Sequence, residues 1–252
     1  MRAGAIRIGL LLLALAPFAA RAQPAAPQAP VAPERLIEPT LAADAEFARN
    51  IALIRADLLI ADALVKERDW VDAHAHVSLP REEIYSVIRD ELRSYKTPQF
   101  DGALRELSHA VAARSIKGYG RALKKVQAAL VDAEFALRAR QKDWPRFTLT
   151  VAIATLREAA DEYDDAVSNG RVVRAVGYRS ARGIVFETDR MLDVVDGALI
   201  ARDPQAVKNL RGIVIHLKDA FAPLSPPKEP RTDVETVRRL IAQADALARA
   251  IK

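Results

Sequence analysis

The residues best suited to chemistry lie close together in residues 70–85, which read WVDAHAHVSLPREEIY. This stretch holds His74 and His76, two of the four histidines of the chain, and a pair of glutamates that includes Glu83. Imidazole nitrogens and carboxylate oxygens are ligands that proteins offer to Zn²⁺, Cu²⁺ and Fe²⁺. The stretch therefore predicts a site for a divalent transition metal, with His74, His76 and Glu83 as its first ligands.

The backbone between the two histidines decides whether they can share an ion. In one continuous helix His74 and His76 would point about 200° apart, whereas Asp72 and His76 would lie on one face. The motif SLP at 78–80 is typical of a helix start, with serine as the cap and proline in the first turn. We therefore expect the chain to turn between His74 and this motif, which frees both imidazoles to meet a further ligand, either His109 or Asp72.

A purely structural interpretation fits the same residues. Histidines near the C-terminus of a helix are stabilised by its dipole by about 0.3–1 kcal/mol, and glutamates gain similarly at the next N-terminus. Both interpretations remain open from the sequence. A second candidate pair, His216 and Asp219, has the i, i+3 spacing that more often makes a hydrogen bond on a helix surface.

A run of five carboxylates lies within residues 158–165 and precedes an Asn-Gly turn at 169–170. Four arginines follow the turn within residues 171–182. Helices joined by a short turn pack antiparallel, which brings the two sets of charges together. The sequence therefore predicts that the acidic and basic runs neutralise each other across a helical hairpin.

Motifs of catalysis are missing from the sequence. It contains no glycine-rich phosphate loop, no HExxH and no GxSxG, so we predict a protein that is not an enzyme. There is also no cysteine, which excludes disulfides, thiolate metal sites and cysteine nucleophiles from this chain.

The first 22 residues have the pattern of a secretory signal peptide. Two arginines precede an apolar run of about 12 residues, too short for the roughly 20 that span a membrane, and Ala20-Arg21-Ala22 offers a cleavage site. We expect cleavage after Ala22 and a periplasmic protein without a membrane span. The formal charge of +5 falls to about +2 without the three arginines of this segment, which gives no electrostatic reason to bind nucleic acid.

The remainder divides into a tether and one domain. Residues 23–40 are rich in proline and alanine and predict an extended, solvated tether. Residues 41–252 repeat apolar side chains at spacings of three and four, as in Phe47, Ile51 and Ile54, which is typical of amphipathic helices. Helices are predicted at about 41–70, 79–94, 100–114, 118–142, 146–168, 172–201, 204–221 and 233–251.

Seven or eight long helices with short connections predict an all-α, up-and-down antiparallel bundle. The segments that lead to Glu83 and to Glu187 resemble each other at an offset of 103 or 104 residues. This likeness is weak, and it suggests a duplicated pair of helical hairpins.

Three segments resemble a group of helical periplasmic proteins of proteobacteria. They are NIALIRADLLI at 50–60, the stretch at 70–85, and YRSARG at 178–183 together with Met191. That group is more distantly similar to the imelysin and EfeO type of iron-uptake-associated bundle. The resemblance covers about residues 42–225. The imelysin signature, a helical His-x-x-Glu, is missing here, and His216 with Asp219 comes nearest to it.

The resemblance implies an exported helical bundle linked to metal uptake. Its partners would be a divalent ion, iron, copper or zinc, or another protein of the cell envelope. The alternative function is a non-catalytic scaffold or partner-binding module of the envelope, in which the histidines have only a structural role.

Overall fold

The computed structural model describes residues 41–251, so the predicted signal peptide and tether lie outside the described residues. Nearly all of the described chain is helical, which confirms the all-α prediction. The helices are α1 (Ala43–Lys66), α2 (Trp70–Leu79), α3 (Ser86–Ser94), α4 (Asp101–Ala112), α5 (Ile116–Arg140), α6 (Trp144–Ala166), α7 (Ala175–Ile200), α8 (Pro204–Ala220) and α9 (Val234–Ala250).

Two short strands, β1 (Val167–Ser168) and β2 (Arg171–Val172), connect α6 to α7. They pair antiparallel, with Val167 opposite Val172. Asn169 and Gly170 have φ values of 50° and 69°, the left-handed conformation that a tight hairpin turn requires. The predicted break at 169–170 is thus a β-hairpin, and it turns α7 back alongside α6.

The predicted turn before the motif at 78–80 is wrong. Helix α2 continues through Pro80 into a π-helical segment, Pro80–Tyr85, and then directly into α3. A proline inside an α-helix removes a hydrogen bond and clashes with the carbonyl four residues earlier. The wider π-helical turns accommodate this proline without ending the helix, and such segments are frequent at functional sites.

The chain turns earlier, between α1 and α2. Arg68 has a φ of 65°, and the Asp69 carboxylate accepts a hydrogen bond of 3.1 Å from the backbone N–H of Asp72. Asp69 therefore caps the helix that contains both histidines. Elsewhere the predicted helix bounds agree with the structure to within about four residues, which is the usual uncertainty of such bounds.

Eight of the nine α-helices in the described part of the chain form two rings of four, and α3 packs on α1 beside the first ring. In the first, α1 packs on α2, α2 on α4, α4 on α5, and α5 on α1. In the second, α6 packs on α7, α7 on α8, α8 on α9, and α9 on α6. Each ring surrounds its own apolar core, and α1 contributes side chains to both cores. The duplicated pair of helical hairpins that the sequence suggested stays a prediction.

The rings meet where α1 packs on α6 and α7. Gly183 makes the closest approach: a Cβ atom built there would lie 2.6 Å from the carbonyl oxygen of Ala56. Only glycine allows two helix backbones to approach so closely. The two rings are therefore held in direct backbone contact beside Asp57 and Ser180.

Within residues 41–251, no helix is both long and apolar enough to cross a membrane.

Candidate functional site between the two rings

The two histidines of α2 lie on different faces of that helix. His76 is completely buried, whereas His74 is exposed and its Nε2 atom lies 3.4 Å from the hydroxyl of Ser108. This is the arrangement expected for a helix that continues through both positions. The structure therefore does not bring His74 and His76 together.

His76 is held by a buried carboxylate of α1. Its Nδ1 atom lies 3.0 Å from Oδ1 of Asp57, which is 7% exposed. The hydroxyl of Ser180 on α7 donates to the same oxygen at 3.4 Å. With Asp57 ionised, Nδ1 carries the ring proton and Nε2 is left as the nitrogen with a free lone pair. Among the described residues, this buried Nε2 atom has no hydrogen-bond partner.

Glu162 interacts electrostatically with Asp57 of this pair and with Glu83, which is exposed in the π-helical segment. Burial, and next the charge of Asp57, raise the pKa of Glu162 on α6 to about 7. Arg174 opposes the shift by lowering this pKa, while Glu83 and Asp165 raise it. Because Glu162 senses both Asp57 and Glu83, these carboxylates share one electrostatic environment.

Gly177 of α7 leaves room for the Glu162 side chain of α6. A Cβ atom at this position would lie 3.0 Å from the backbone oxygen of Glu162 and 3.4 Å from its Oε2 atom. The glycine therefore allows α7 to pack against the Glu162 side chain, which is partly buried at the junction of the rings.

The other predicted ligands have different surroundings. Asp72 forms an ion pair of 2.6 Å with Arg179, which is 5% exposed. His109 is exposed on α4, in a surface depression shared with Glu106 and Lys125. Over the described part of the chain, no group of three or more His, Asp or Glu side chains is arranged to hold a metal ion. A metal site made of His74, His76, Glu83, His109 and Asp72 stays a prediction.

The acidic run before the hairpin is neutralised mainly by other helices. Asp165 pairs with Arg174 at 3.4 Å across the hairpin, as predicted. Asp164 instead pairs with Arg238 of α9 at 2.7 Å, and Glu158 pairs with Arg49 of α1 at 2.6 Å. The prediction of neutralisation across the hairpin is confirmed for Asp165 and Arg174, whereas Asp164 and Glu158 pair with other helices. The reason is that α6 has neighbours on several sides, and its charges face all of them.

Asp57, Ser180 and Glu162 were not identified from the sequence as one site. One signal was present: Asp57 interrupts an apolar segment, with Ile54 and Ile60 three residues away on either side. A carboxylate on the buried stripe of a helix needs a partner in the core. The sequence did not show which of the remaining helices would supply that partner.

The meeting of a serine, a histidine and an aspartate does not create a nucleophile here. Ser180 donates to Asp57 and not to Nε2 of His76, so the imidazole is not placed to take the serine proton. Nucleophilic catalysis by serine requires that contact. The arrangement is better suited to hold the imidazole in one orientation.

The fold and site together define an all-α protein of two four-helix rings, with a buried histidine–carboxylate pair where the rings meet. Residues 138–251 match the family described as the iron permease-associated 4-helix bundle domain. This segment contains the whole of the second ring, α6 to α9, so the family's four-helix description agrees with the structure. No curated protein and no solved structure matches the chain. The matched segment is thus similar to a helical module described as iron permease-associated, which is not a known catalytic fold.

Proposed function

We propose that this chain is an exported, non-catalytic accessory protein of iron uptake. It binds a divalent metal ion, with Fe²⁺ as the first candidate, at the junction of the two rings. The proposed ligands are Nε2 of His76 and the carboxylates of Glu83 and Glu162. Asp57 acts behind them by orienting the imidazole. The ion is cargo on its way to a permease in the membrane.

The single observation that carries this proposal is the state of His76. Metal-binding histidines commonly donate one ring N–H to a carboxylate while the other nitrogen binds the ion. Asp57 holds Nδ1 in this way, and Nε2 has no partner within residues 41–251. A buried imidazole nitrogen without a partner is unfavourable unless a ligand occupies it.

Two further observations support iron as the cargo. Imidazole together with carboxylate oxygen suits Fe²⁺, whereas sites made of oxygen alone favour Mg²⁺ or Ca²⁺. The matched family is described by its association with iron permeases. Binding requires exposed Glu83 and partly buried Glu162 to move towards Nε2, because the described residues hold no group of three His, Asp or Glu side chains already arranged for a metal.

Anaerobic titration with Fe²⁺, Zn²⁺ and Cu²⁺ tests the proposal on residues 23–252, with thermal melting as the measurement. Fe²⁺ at 100 times its Kd should stabilise the protein by about 2.7 kcal/mol. Elemental analysis of protein isolated from the periplasm should find the same metal. The proposal fails if none of the three ions changes the melting temperature.

Matched variants separate this site from the one predicted from sequence. His76→Gln, Glu83→Gln and Glu162→Gln should each weaken binding, by about 10–100-fold for loss of a ligand or of its support. His74→Gln should bind as the wild type does, because His74 is exposed on the other face of α2. Loss of binding in His74→Gln with retention in His76→Gln would instead support the original set of ligands.

A second candidate function is a partner-binding module, and one surface feature favours it. Val131 and Phe135 lie one turn apart on α5 and are 56% and 74% exposed. An apolar pair of this kind is a contact typical of protein interfaces. In a pull-down of solubilised envelope membranes, Phe135→Ser should lose a permease partner while it keeps its metal affinity.

A further inference from the structure

Helix α5 presents one exposed line of side chains that is basic in its first half and apolar in its second. Six residues recur at spacings of 4, 3, 4, 3 and 4, which places them within about 40° of one line along the helix. All six are exposed: Lys117, Arg121, Lys124, Ala128, Val131 and Phe135. We refer to them as the α5 stripe, which at about 1.5 Å of rise per residue is about 27 Å long.

The opposite face of α5 anchors this helix in the first ring. Tyr119, Val126 and Leu130 are buried in the core of that ring. The helix also packs on α4 and on α1. The α5 stripe therefore belongs to a rigid element that points it away from the core, and such a surface loses little conformational entropy on binding.

The positive charge of the chain is concentrated around the first half of the stripe. Residues 107–131 contain five basic side chains and no acidic one. Lys125 pairs with Glu106 at 2.6 Å, whereas Lys117, Arg121 and Lys124 form no ion pair with any residue of the described part of the chain. A local field of this kind attracts an anionic surface even when the whole protein is close to neutral.

The second half of the stripe is apolar. Val131 and Phe135 are 56% and 74% exposed. The carboxylates nearby do not lie on the line: Asp132 is about 60° away from it, and Glu134 pairs with Arg55 at 2.9 Å. Exposed apolar side chains that adjoin a charged surface are typical of sites that contact a membrane or another protein.

The combination of charge and carbon surface favours lipid as the partner. An anionic membrane offers phosphate groups to lysine and arginine, and an apolar boundary just below them to aromatic side chains. Lipid head groups are mobile, so they need no fixed arrangement of the basic residues. The outer face of a single helix is convex, and a protein partner would need a groove that matches it. Nucleic acid would supply phosphates but no apolar layer for Phe135.

We propose that the α5 stripe docks the protein on the surface of a membrane that contains anionic phospholipid. Lys117, Arg121 and Lys124 contact the phosphates of the head groups, and Val131 and Phe135 lie at the boundary with the acyl chains. The contact is peripheral. It assigns lipid to the apolar pair of the second candidate function, and it does not depend on the metal site.

Sedimentation with sucrose-loaded vesicles tests the proposal on residues 23–252. The vesicles consist of phosphatidylcholine, either pure or with about one third of phosphatidylglycerol. Each basic residue near an anionic surface strengthens binding about 5-fold, so three should favour the anionic vesicles by about 100-fold. Raising the salt from about 0.1 M to about 1 M shortens the Debye length from about 10 Å to about 3 Å, which should remove most of this preference.

A matched pair of charge variants separates the stripe from the net charge of the protein. Lys124→Glu removes one positive charge from the stripe and adds a negative one, so binding to anionic vesicles should weaken about 25-fold. Lys208→Glu changes the net charge equally, but Lys208 is exposed on α8 of the second ring, and this variant should bind as the wild type does. Thermal melts show that both variants fold.

A second pair tests the apolar half of the stripe. Phe135→Ser should bind anionic vesicles about 5- to 10-fold more weakly, because it loses the burial of an aromatic ring. This loss should persist at high salt, since it does not depend on charge. The control is Ile215→Ser on α8, where the replaced side chain is 56% exposed and binding should not change.

Several outcomes would overturn the proposal. They are the absence of binding to anionic vesicles at low salt, equal binding to both kinds of vesicle, and equal loss in Lys124→Glu and Lys208→Glu. If Phe135→Ser loses a protein partner from solubilised membranes but binds vesicles as the wild type does, the stripe is a protein-binding face and the assignment to lipid is wrong. The metal titrations contain no vesicles, so the two proposals fail separately.

Discussion

Replacing Gly183 by alanine is the sharpest test of how the two rings are joined. The added Cβ atom would lie 2.6 Å from the carbonyl oxygen of Ala56 and 2.9 Å from Cγ1 of Ile60. The first of these atoms belongs to the backbone of α1 and cannot rotate away. To reach an ordinary contact distance, α1 and α7 would have to separate by about 0.5–1 Å, and well-packed interiors resist such movement.

Two opposing effects determine how much Gly183→Ala changes the free energy of unfolding. Alanine is more favourable than glycine inside a helix by about 0.5–1 kcal/mol. Overpacking of a tight interior costs about 1–3 kcal/mol, and sometimes more. Because the contact is between two backbones, we expect the overpacking term to dominate, with a net loss of about 1–2 kcal/mol. For a domain of this size, the melting temperature should fall by about 2–8 °C.

Gly197→Ala is the matched control, since Gly197 lies on the same helix. A Cβ atom there would meet nothing within 4 Å in the part of the chain that the structure describes. This variant should therefore gain about 0.5–1 kcal/mol from helix propensity alone. Urea unfolding and thermal melts of both variants, followed by circular dichroism, measure the difference. The reasoning is refuted if both substitutions raise the melting temperature.

Iron binding at the proposed site should also differ between these two variants. Separation of α1 from α7 would lengthen the 3.4 Å contact between Ser180 and Asp57 and loosen the orientation of His76. Gly183→Ala should then bind Fe²⁺ more weakly than Gly197→Ala does. Equal affinities in the two variants would show that the close approach stabilises the fold without serving the site.

Three further predictions concern buried charge. Glu162→Gln should remove a dependence of the free energy of unfolding on pH. Since burial raises the pKa of Glu162 to about 7, the folded protein retains a proton between about pH 4.5 and 7 that the unfolded protein releases. The stability of the wild type therefore falls as the pH rises through this window. In urea titrations, the wild type should lose about 1–2 kcal/mol of stability between pH 4 and pH 8, a figure that is discounted for the partial exposure of Glu162. Glu162→Gln should not show this loss, whereas Glu82→Gln, at an exposed position, should follow the wild type. Asp57→Ala should lower the free energy of unfolding by about 2–4 kcal/mol, because it leaves Nδ1 of buried His76 without its acceptor; a loss below about 0.5 kcal/mol would contradict the contact. Glu187→Ala should cost about 1–2 kcal/mol by the same measurement, because its loss breaks a bidentate ion pair whose other member, Arg190, has a side chain 42% exposed and so stays hydrated; an unchanged stability would show that this pair contributes nothing.

Sequence periodicity was enough to predict the helices, because the spacing of apolar residues along one helix is a local property. It was not enough at Pro80. There the local signals for a helix start were present, yet the packing of α2 against α1 and α4 favours a continuous helix with π-helical turns over a turn in the chain. Tertiary contacts can outweigh a capping signal because each cap is worth only about 1 kcal/mol.

The candidate site, too, was only partly predictable from local sequence. The sequence analysis singled out residues 70–85, which contain the buried His76, but it did not identify Asp57, the carboxylate that contacts this imidazole. It did not indicate that His76 faces inward and His74 outward, since that depends on whether the helix continues through both. The family match adds, for residues 138–251, a similarity to a domain described as iron permease-associated, which the composition alone could not provide.

The sequence by itself determined the all-α class and the approximate bounds of the helices other than α2, because both depend on neighbours within a few positions. Only the tertiary structure decided which polar groups meet. Asp57 contacts His76 from 19 residues away and Ser180 from 123 residues away. Contacts at such separations depend on which helices pack together and in which rotation. Gly183 sets that packing, and its role is visible only where it lies beside the backbone of α1.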